Sequence, residues 1–213
     1  MRTRTKFVFL MHPKEFKQEK AATGRLTHLC LPNSEIHMGI GFDEHAAVTT
    51  LIREPRNFPV LLYPGAGLRN LSHGGLTPGE LGDRRLVVFV LDGTWSCARK
   101  MLKLSPSLQR LTRIGFTPAR ASRYLIKQQP EAGCLSTLEA VDETLAALER
   151  AGLDRYPQPE QLLGLFHRMQ DFQIECARDP ARAHYHRPAV QTPTDLSRHR
   201  LAVGSRRRRF LPG

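Results

Sequence analysis

The sequence predicts an α/β protein with a mostly parallel sheet flanked by helices. Three observations predict it. Arg85 to Leu91 (RLVVFVL) is an unbroken apolar, β-branched run, the pattern of a strand covered on both faces. Lys6 to Met11 (KFVFLM) and Pro59 to Tyr63 (PVLLY) are shorter runs of the same kind. Segments with helical spacing alternate with these runs, and strand–helix alternation is the mark of a parallel sheet.

The elements follow in order. Lys6 to Met11 is the first strand. Leu26 to Leu31 (LTHLCL) is a second strand candidate, with Thr23-Gly24-Arg25 as a small polar loop before it. His45 to Arg53 has the spacing of a short helix. Pro59 to Tyr63 is a buried strand closed by a Pro64-Gly65 turn. Residues 66–83, rich in Gly, Ser and Pro, read as a loop. Arg85 to Leu91 is the strongest strand, and Ser96 to Leu104 a helix. Leu111 to Phe116 is another strand. Leu135 to Arg150 is a helix that Ser136 and Glu139 open with a capping-box pattern. Pro159 to Arg178 is a final amphipathic helix. Residues 1–178 thus read as one domain, and residues 179–213 as a basic tail, extended or disordered.

With 213 residues, 40% hydrophobic and 24% charged, the chain can bury a core without disulfides or metals. That excludes a wholly disordered chain, a collagen-like repeat and a disulfide-knotted mini-protein. The longest apolar stretches run about six or seven residues, against the roughly 20 that span a bilayer. The opening MRTRTKFVFLMHP lacks the pattern of a signal peptide, so a cytoplasmic protein without a membrane partner is expected. Cys30, Cys97, Cys134 and Cys176 form no C-x-x-C pair, and neither the histidines nor His184-Tyr185-His186 show metal spacing. No metal is expected.

The net charge is +12, unevenly spread. Residues 84–128 hold ten Lys/Arg and one acid, Asp92; residues 178–213 hold nine Arg and two Asp. Clustered cations gain affinity for a polyanion by releasing counterions from phosphates, so RNA is the expected partner. A solvated basic face is the plainer alternative.

Ligands in open α/β sheets bind beyond the carboxyl ends of the strands. Asp92 stands at such an end, followed by Gly93, Thr94 and Trp95. Asp is a poor strand residue, and Gly93 permits a tight turn or a close approach. Thr94 could cap the next helix, and Trp95, the only Trp, offers either a flat face for a base or a core side chain. Arg99, Lys100 and Lys103 then load a helix start with cations, against its dipole unless an anion lies near. Two further clusters are Ser122-Arg123-Tyr124 with Lys127 and Pro130, and Leu135 to Ala140, whose helix N-terminus offers free amides to a carboxylate or phosphate.

The segment LDGTWSCARKM, with SRYLIKQQP and LSTLEA downstream and TGRL and LLYPG upstream, closely resembles the DTW-domain family, whose defining motif is Asp-x-Thr-Trp. The resemblance covers roughly residues 20–150. It implies a SPOUT-like fold with a trefoil knot toward its C-terminal side and S-adenosyl-L-methionine as cofactor. It also implies transfer of the 3-amino-3-carboxypropyl group to a tRNA uridine. The family pattern carries over to Asp92, Thr94 and Trp95, to Arg99 and Lys100, to Ser122, Arg123 and Tyr124, and to Leu135 to Ala140. It departs at Gln128 and Gln129, where relatives are more basic, and in lacking the cysteine-rich segment that opens many relatives.

On that resemblance Asp92 is the expected general base for the uracil imide. Leu91, Thr94, Trp95, Leu135, Ser136 and Thr137 are the expected cofactor contacts. Arg25, Arg99, Lys100, Arg123, Tyr124 and Lys127 are the expected RNA contacts, with a flipped uracil on Trp95 or Tyr124. A monomer is expected. The competing readings are an RNA methyltransferase of similar fold and a non-catalytic RNA-binding module; ribosomal RNA is the alternative substrate.

Overall fold

The computed structural model describes residues 1–18, 22–125 and 134–179. In chain order these form β1 (Lys6–Met11), α1 (Pro13–Gln18), α2 (Thr23–Cys30), β2 (Ser34–Met38), α3 (Ala46–Arg53), β3 (Asn57–Leu62) and β4 (Arg69–Asn70). A 3₁₀ turn, Leu71–His73, follows, then α4 (Pro78–Leu81), β5 (Arg85–Asp92), α5 (Trp95–Lys103), α6 (Pro106–Gln109), β6 (Thr112–Gly115), α7 (Thr137–Arg150) and α8 (Pro159–Arg178).

Among the described residues, six strands pair in the order β2-β1-β5-β3-β6-β4, every pair parallel. Side chains alternate across the two faces because a strand has a period of two. Phe7, Phe9, Val88 and Val90 pack on one face against α2, α7 and α8 through Cys30, Leu138, Val141 and Phe166. Val8, Leu10, Val87, Phe89 and Leu91 pack on the other against α3, α5 and α6 through Val48, Ala98, Met101 and Leu108. Both faces of β5 are therefore covered, as its continuous apolar run predicts.

The register fixes where the strands end. Met11 stands opposite both Asp92 and Met38, and Leu62 opposite Val90 and Ile114. The carboxyl ends of β1, β5, β3 and β6 thus share one edge. The chain passes from β1 to β2 on one side, crosses to β3 and β4 on the other, and returns with β5 to the centre. This reversal beside β1 and β5 is the switch point at which such sheets bind ligands.

The structure corrects three expectations. Leu26 to Leu31 is not a strand: Thr23 to Cys30 is helix α2, with Thr23, Gly24, Thr27 and Cys30 buried at helical spacing and Leu29 left 76% exposed. The Thr27 hydroxyl bonds back to the Thr23 carbonyl at 2.7 Å. Thr23-Gly24-Arg25 is therefore the first turn of a helix, not a loop. Residues 66–83 carry β4, a 3₁₀ turn and α4, the last opened by a Thr77–Glu80 capping box. The expected tail lies outside the described residues from 180 onward, as do residues 126–133.

Candidate functional site

Asp92 ends the central strand and is 5% exposed. Its Oδ1 accepts a hydrogen bond from the Thr137 hydroxyl at 2.6 Å, which joins the end of β5 to the first residue of α7 across 45 residues of sequence. Its Oδ2 lies against Gly24: a Cβ built there would stand 2.4 Å from that oxygen. The carboxylate thus sits between the first turns of α2 and α7, and both helix dipoles favour a negative charge at that end. The Asp92 carbonyl accepts from the His12 amide at 2.9 Å, continuing the β1–β5 ladder one step past the strand.

Glu139 organises the other half of the site and is buried. The Ser136 hydroxyl accepts from the Glu139 amide, and Glu139 Oε2 accepts from the Ser136 amide at 2.8 Å, closing the capping box that the sequence shows. The same carboxylate reaches further. Oε2 also accepts from the Ser122 hydroxyl at 2.9 Å, and Oε1 from the Arg123 amide at 2.7 Å. Two motifs that stand apart in the sequence are therefore one unit, tied by a residue that reads there only as a helix cap.

The Tyr124 ring meets Phe166 edge-on at 5.1 Å. The ring is half-buried and packed on the core at that contact. Burial pushes its phenol up to about 12, and the fields of Glu15, Asp92 and Glu139 push the same way. Three carboxyl groups thus converge on this end of the sheet.

The remaining predicted residues divide by what they touch. Thr94 caps α5, its hydroxyl accepting from the Cys97 amide and lying 3.0 Å from Ser96 Oγ. Leu91 packs into the core with the α5 residues and pairs with Leu10 in the β1–β5 ladder. Trp95 is half-buried and tilted against Tyr63, ring centres 6.2 Å apart. Leu135 precedes the Ser136 cap and is half-buried, while Thr137 spends its hydroxyl on Asp92. Arg25 lies 4.2 Å over the Phe16 ring and donates to the Phe16 carbonyl, so it fastens α1 to α2. Arg99, Lys100 and Arg123 are exposed. Lys127 lies outside the described residues.

His12 is a site residue that sequence reasoning misses. It is buried at the end of β1, its Nδ1 accepting from the Lys14 amide at 3.2 Å. Burial, then Lys14 and Lys100, hold its pKa below the usual value, with Glu15 opposing. Gly93 allows the approach, since a Cβ there would meet the His12 and Cys97 Cβ atoms at 3.3 Å. The available signal is position: His12 directly follows an apolar strand, where a parallel sheet delivers side chains to its ligand edge.

Two described cavities lie elsewhere. One of about 370 Å³ is lined by Asp43, Arg53, Ser107 and Arg110 among others, and one of about 160 Å³ by Arg4, Asp83 and Arg85 among others. Neither includes Asp92. Among the described residues, no group of three or more His, Cys, Asp or Glu is placed to hold a metal ion, and no helix is long and apolar enough to cross a membrane.

The DTW domain family model matches residues 1–174. Curated relatives named tRNA-uridine aminocarboxypropyltransferase 2 include one from Drosophila melanogaster, 32% identical over 153 residues, covering 68% of this chain and 57% of the relative. One from Macaca fascicularis is 29% identical over 175 residues, covering 80% and 55%. One from Mus musculus is 28% identical over 181 residues, covering 82% and 59%. The chain therefore spans a little over half the length of these relatives. No solved structure gives a significant match.

Proposed function

This chain belongs to the DTW-domain family, and from that premise we propose that it transfers a 3-amino-3-carboxypropyl group from S-adenosylmethionine to the ring N3 of a tRNA uridine. The observation that carries the reading is the Asp92–Thr137 joint, which brings the D-x-T-W loop and the α7 start together at the ligand edge of the sheet. The relatives' names supply the reaction type.

The residues present fit a cationic cofactor. The fields of Glu15, Asp92 and Glu139 all reach the Tyr124 phenol, so the field at that side chain favours positive charge. When bound, the sulfonium supplies an activated alkyl carbon, and methylthioadenosine leaves. The protein's part is orientation and proton transfer. The first turn of α7 at Ser136 and Thr137 holds the amino-acid end. The Asp92 carboxylate, fixed by Thr137 and framed by Gly24, takes the N3 proton as that nitrogen attacks. Arg99, Lys100 and Arg123 meet RNA phosphates from the exposed rim. The SPOUT-like knot and the cytoplasmic site of action belong to the same proposal.

Mass spectrometry of nucleosides from bulk tRNA incubated with the protein and labelled cofactor tests it. The expected product is uridine carrying the labelled aminocarboxypropyl group, with methylthioadenosine released in equal amount. A methylated nucleoside with adenosylhomocysteine would place the chain among methyltransferases, and no labelled nucleoside would leave an RNA-binding module.

A further inference from the structure

A second cluster stands at the ligand edge, joining Tyr63 and Trp95 of the LLYPG and D-x-T-W segments to Arg113, which neither segment contains. Tyr63 follows β3, and Trp95 opens α5 with its ring tilted 60° to the phenol at 6.2 Å. The Arg113 guanidinium, from β6, lies 5.8 Å from the Tyr63 ring centre. It also crosses Gly65, where a Cβ would meet Arg113 Nη1 at 2.4 Å. Gly65 has φ +141°, a conformation that side chains avoid, so the Pro64-Gly65 turn is shaped around that guanidinium. The fields of Arg99 and Arg113 both reach the Tyr63 phenol, which burial pushes the other way.

Neither guanidinium has a carboxylate partner among the described residues. Arg113 is half-buried, which makes an unneutralised charge costly. Arg113 beside the Tyr63 ring, with Arg99 exposed one helical turn after Trp95 on α5, matches the chemistry of a single-stranded nucleotide. Its phosphate takes the guanidiniums, and its base takes a ring face.

We propose that Tyr63, Trp95, Arg99 and Arg113 form a clamp for one nucleotide of single-stranded RNA, with Arg113 and Arg99 on its phosphate and the Tyr63–Trp95 pair against its base. The clamp deepens the RNA-modifying reading, on which its biological role rests, but it is a binding site testable without transfer. It adds Tyr63 and Arg113 to the RNA-contacting set and lies on the β3–β6 side of Asp92, where it would hold a neighbour of the target uridine.

The test is binding of a fluorescent ten-residue oligouridylate to the full chain across a salt series. Arg113→Gln should weaken binding about tenfold and reduce the slope of log affinity against log salt by about 0.7, one phosphate contact. Arg113→Lys should recover most of the slope, because the charge returns. Thermal melting shows that each variant is folded, and calorimetry with S-adenosylmethionine should give the same affinity for all of them. An unchanged slope in folded Arg113→Gln overturns the clamp whatever the tRNA assay shows. A lost cofactor affinity with an intact slope overturns it too, by assigning the cluster to the cofactor. If the slope falls as expected while wild-type protein leaves bulk tRNA unmodified, the clamp stands and the transferase reading fails.

Discussion

Gly24 has no side chain because Asp92 occupies the space one would need. A methyl there would stand 2.4 Å from Oδ2, and that atom belongs to a buried carboxylate tied to Thr137. Gly24→Ala should therefore cost about 1–3 kcal/mol in urea unfolding, as small-to-large changes in packed sites do. It should also lower transfer more than a destabilised variant elsewhere, because it moves the carboxylate. Glu139 is the other residue whose role exceeds its local pattern. Glu139→Ala removes half of the capping box and releases Ser122 and Arg123. A cap alone is worth about 0.5–2 kcal/mol; a loss in thermal stability above that range is expected, and a smaller one would show that the loop does not depend on it. The sequence shows Ser136 and Glu139 as a helix start but cannot show that the same carboxylate binds residues 122 and 123, because side-chain reach across a fold leaves no local pattern.

At the scale of the element, α7 and α8 are clasped by Tyr156, whose hydroxyl donates to Asp142 and lies 3.1 Å from the Pro159 carbonyl. Burial is the main cause that pushes Asp142 from its usual 3.8 up to about 6, with the Tyr156 bond opposing. A carboxyl raised in the folded state stabilises when protonated, so wild-type stability should fall as pH rises from about 4 to about 6. Asp142→Asn keeps an acceptor for Tyr156 without the charge. It should match wild type near pH 4 and exceed it by about 1–2 kcal/mol at pH 7.5, after discounting for partial exposure; equal denaturant midpoints at both pH values would contradict this. The elements most legible in sequence are those whose pattern is also their environment. β5 is buried on both faces and reads as a continuous apolar run, and α8 begins and ends where its periodicity does. α2 is misread because Leu26, Leu29 and Leu31 dominate LTHLCL, whereas its buried face is Thr23, Gly24, Thr27 and Cys30. α1 is short and flanks the first strand without a periodic run of its own, and β2 (SEIHM) is a short, half-polar edge strand with little apolar pattern to show.

For the whole molecule, the parallel α/β class follows from strand–helix alternation, but the strand order does not. Which side of β1 each crossover takes is decided by packing of helices on the two sheet faces, and local sequence carries no record of it. That order is what gathers His12, Tyr63, Asp92 and Arg113 at one edge, and it explains why two of them go unmarked by sequence motifs. Charge is the global property that sequence does show. Residues 178–213 carry a net +7, and removal of residues 198–213 should weaken tRNA binding and flatten its salt dependence; an identical salt slope would make the segment a bystander. The central claim is that a carboxylate held at the mouth of β5 takes the proton that frees uridine N3 to attack an alkyl carbon. Single-turnover transfer to tRNA by Asp92→Asn tests it most directly, since the amide can still accept from Thr137 but cannot take a proton. The expected result is a fall in rate of at least about a hundredfold with cofactor affinity within a few-fold of wild type. Transfer at the wild-type rate by the folded Asn variant would show that Asp92 anchors helices and moves no proton.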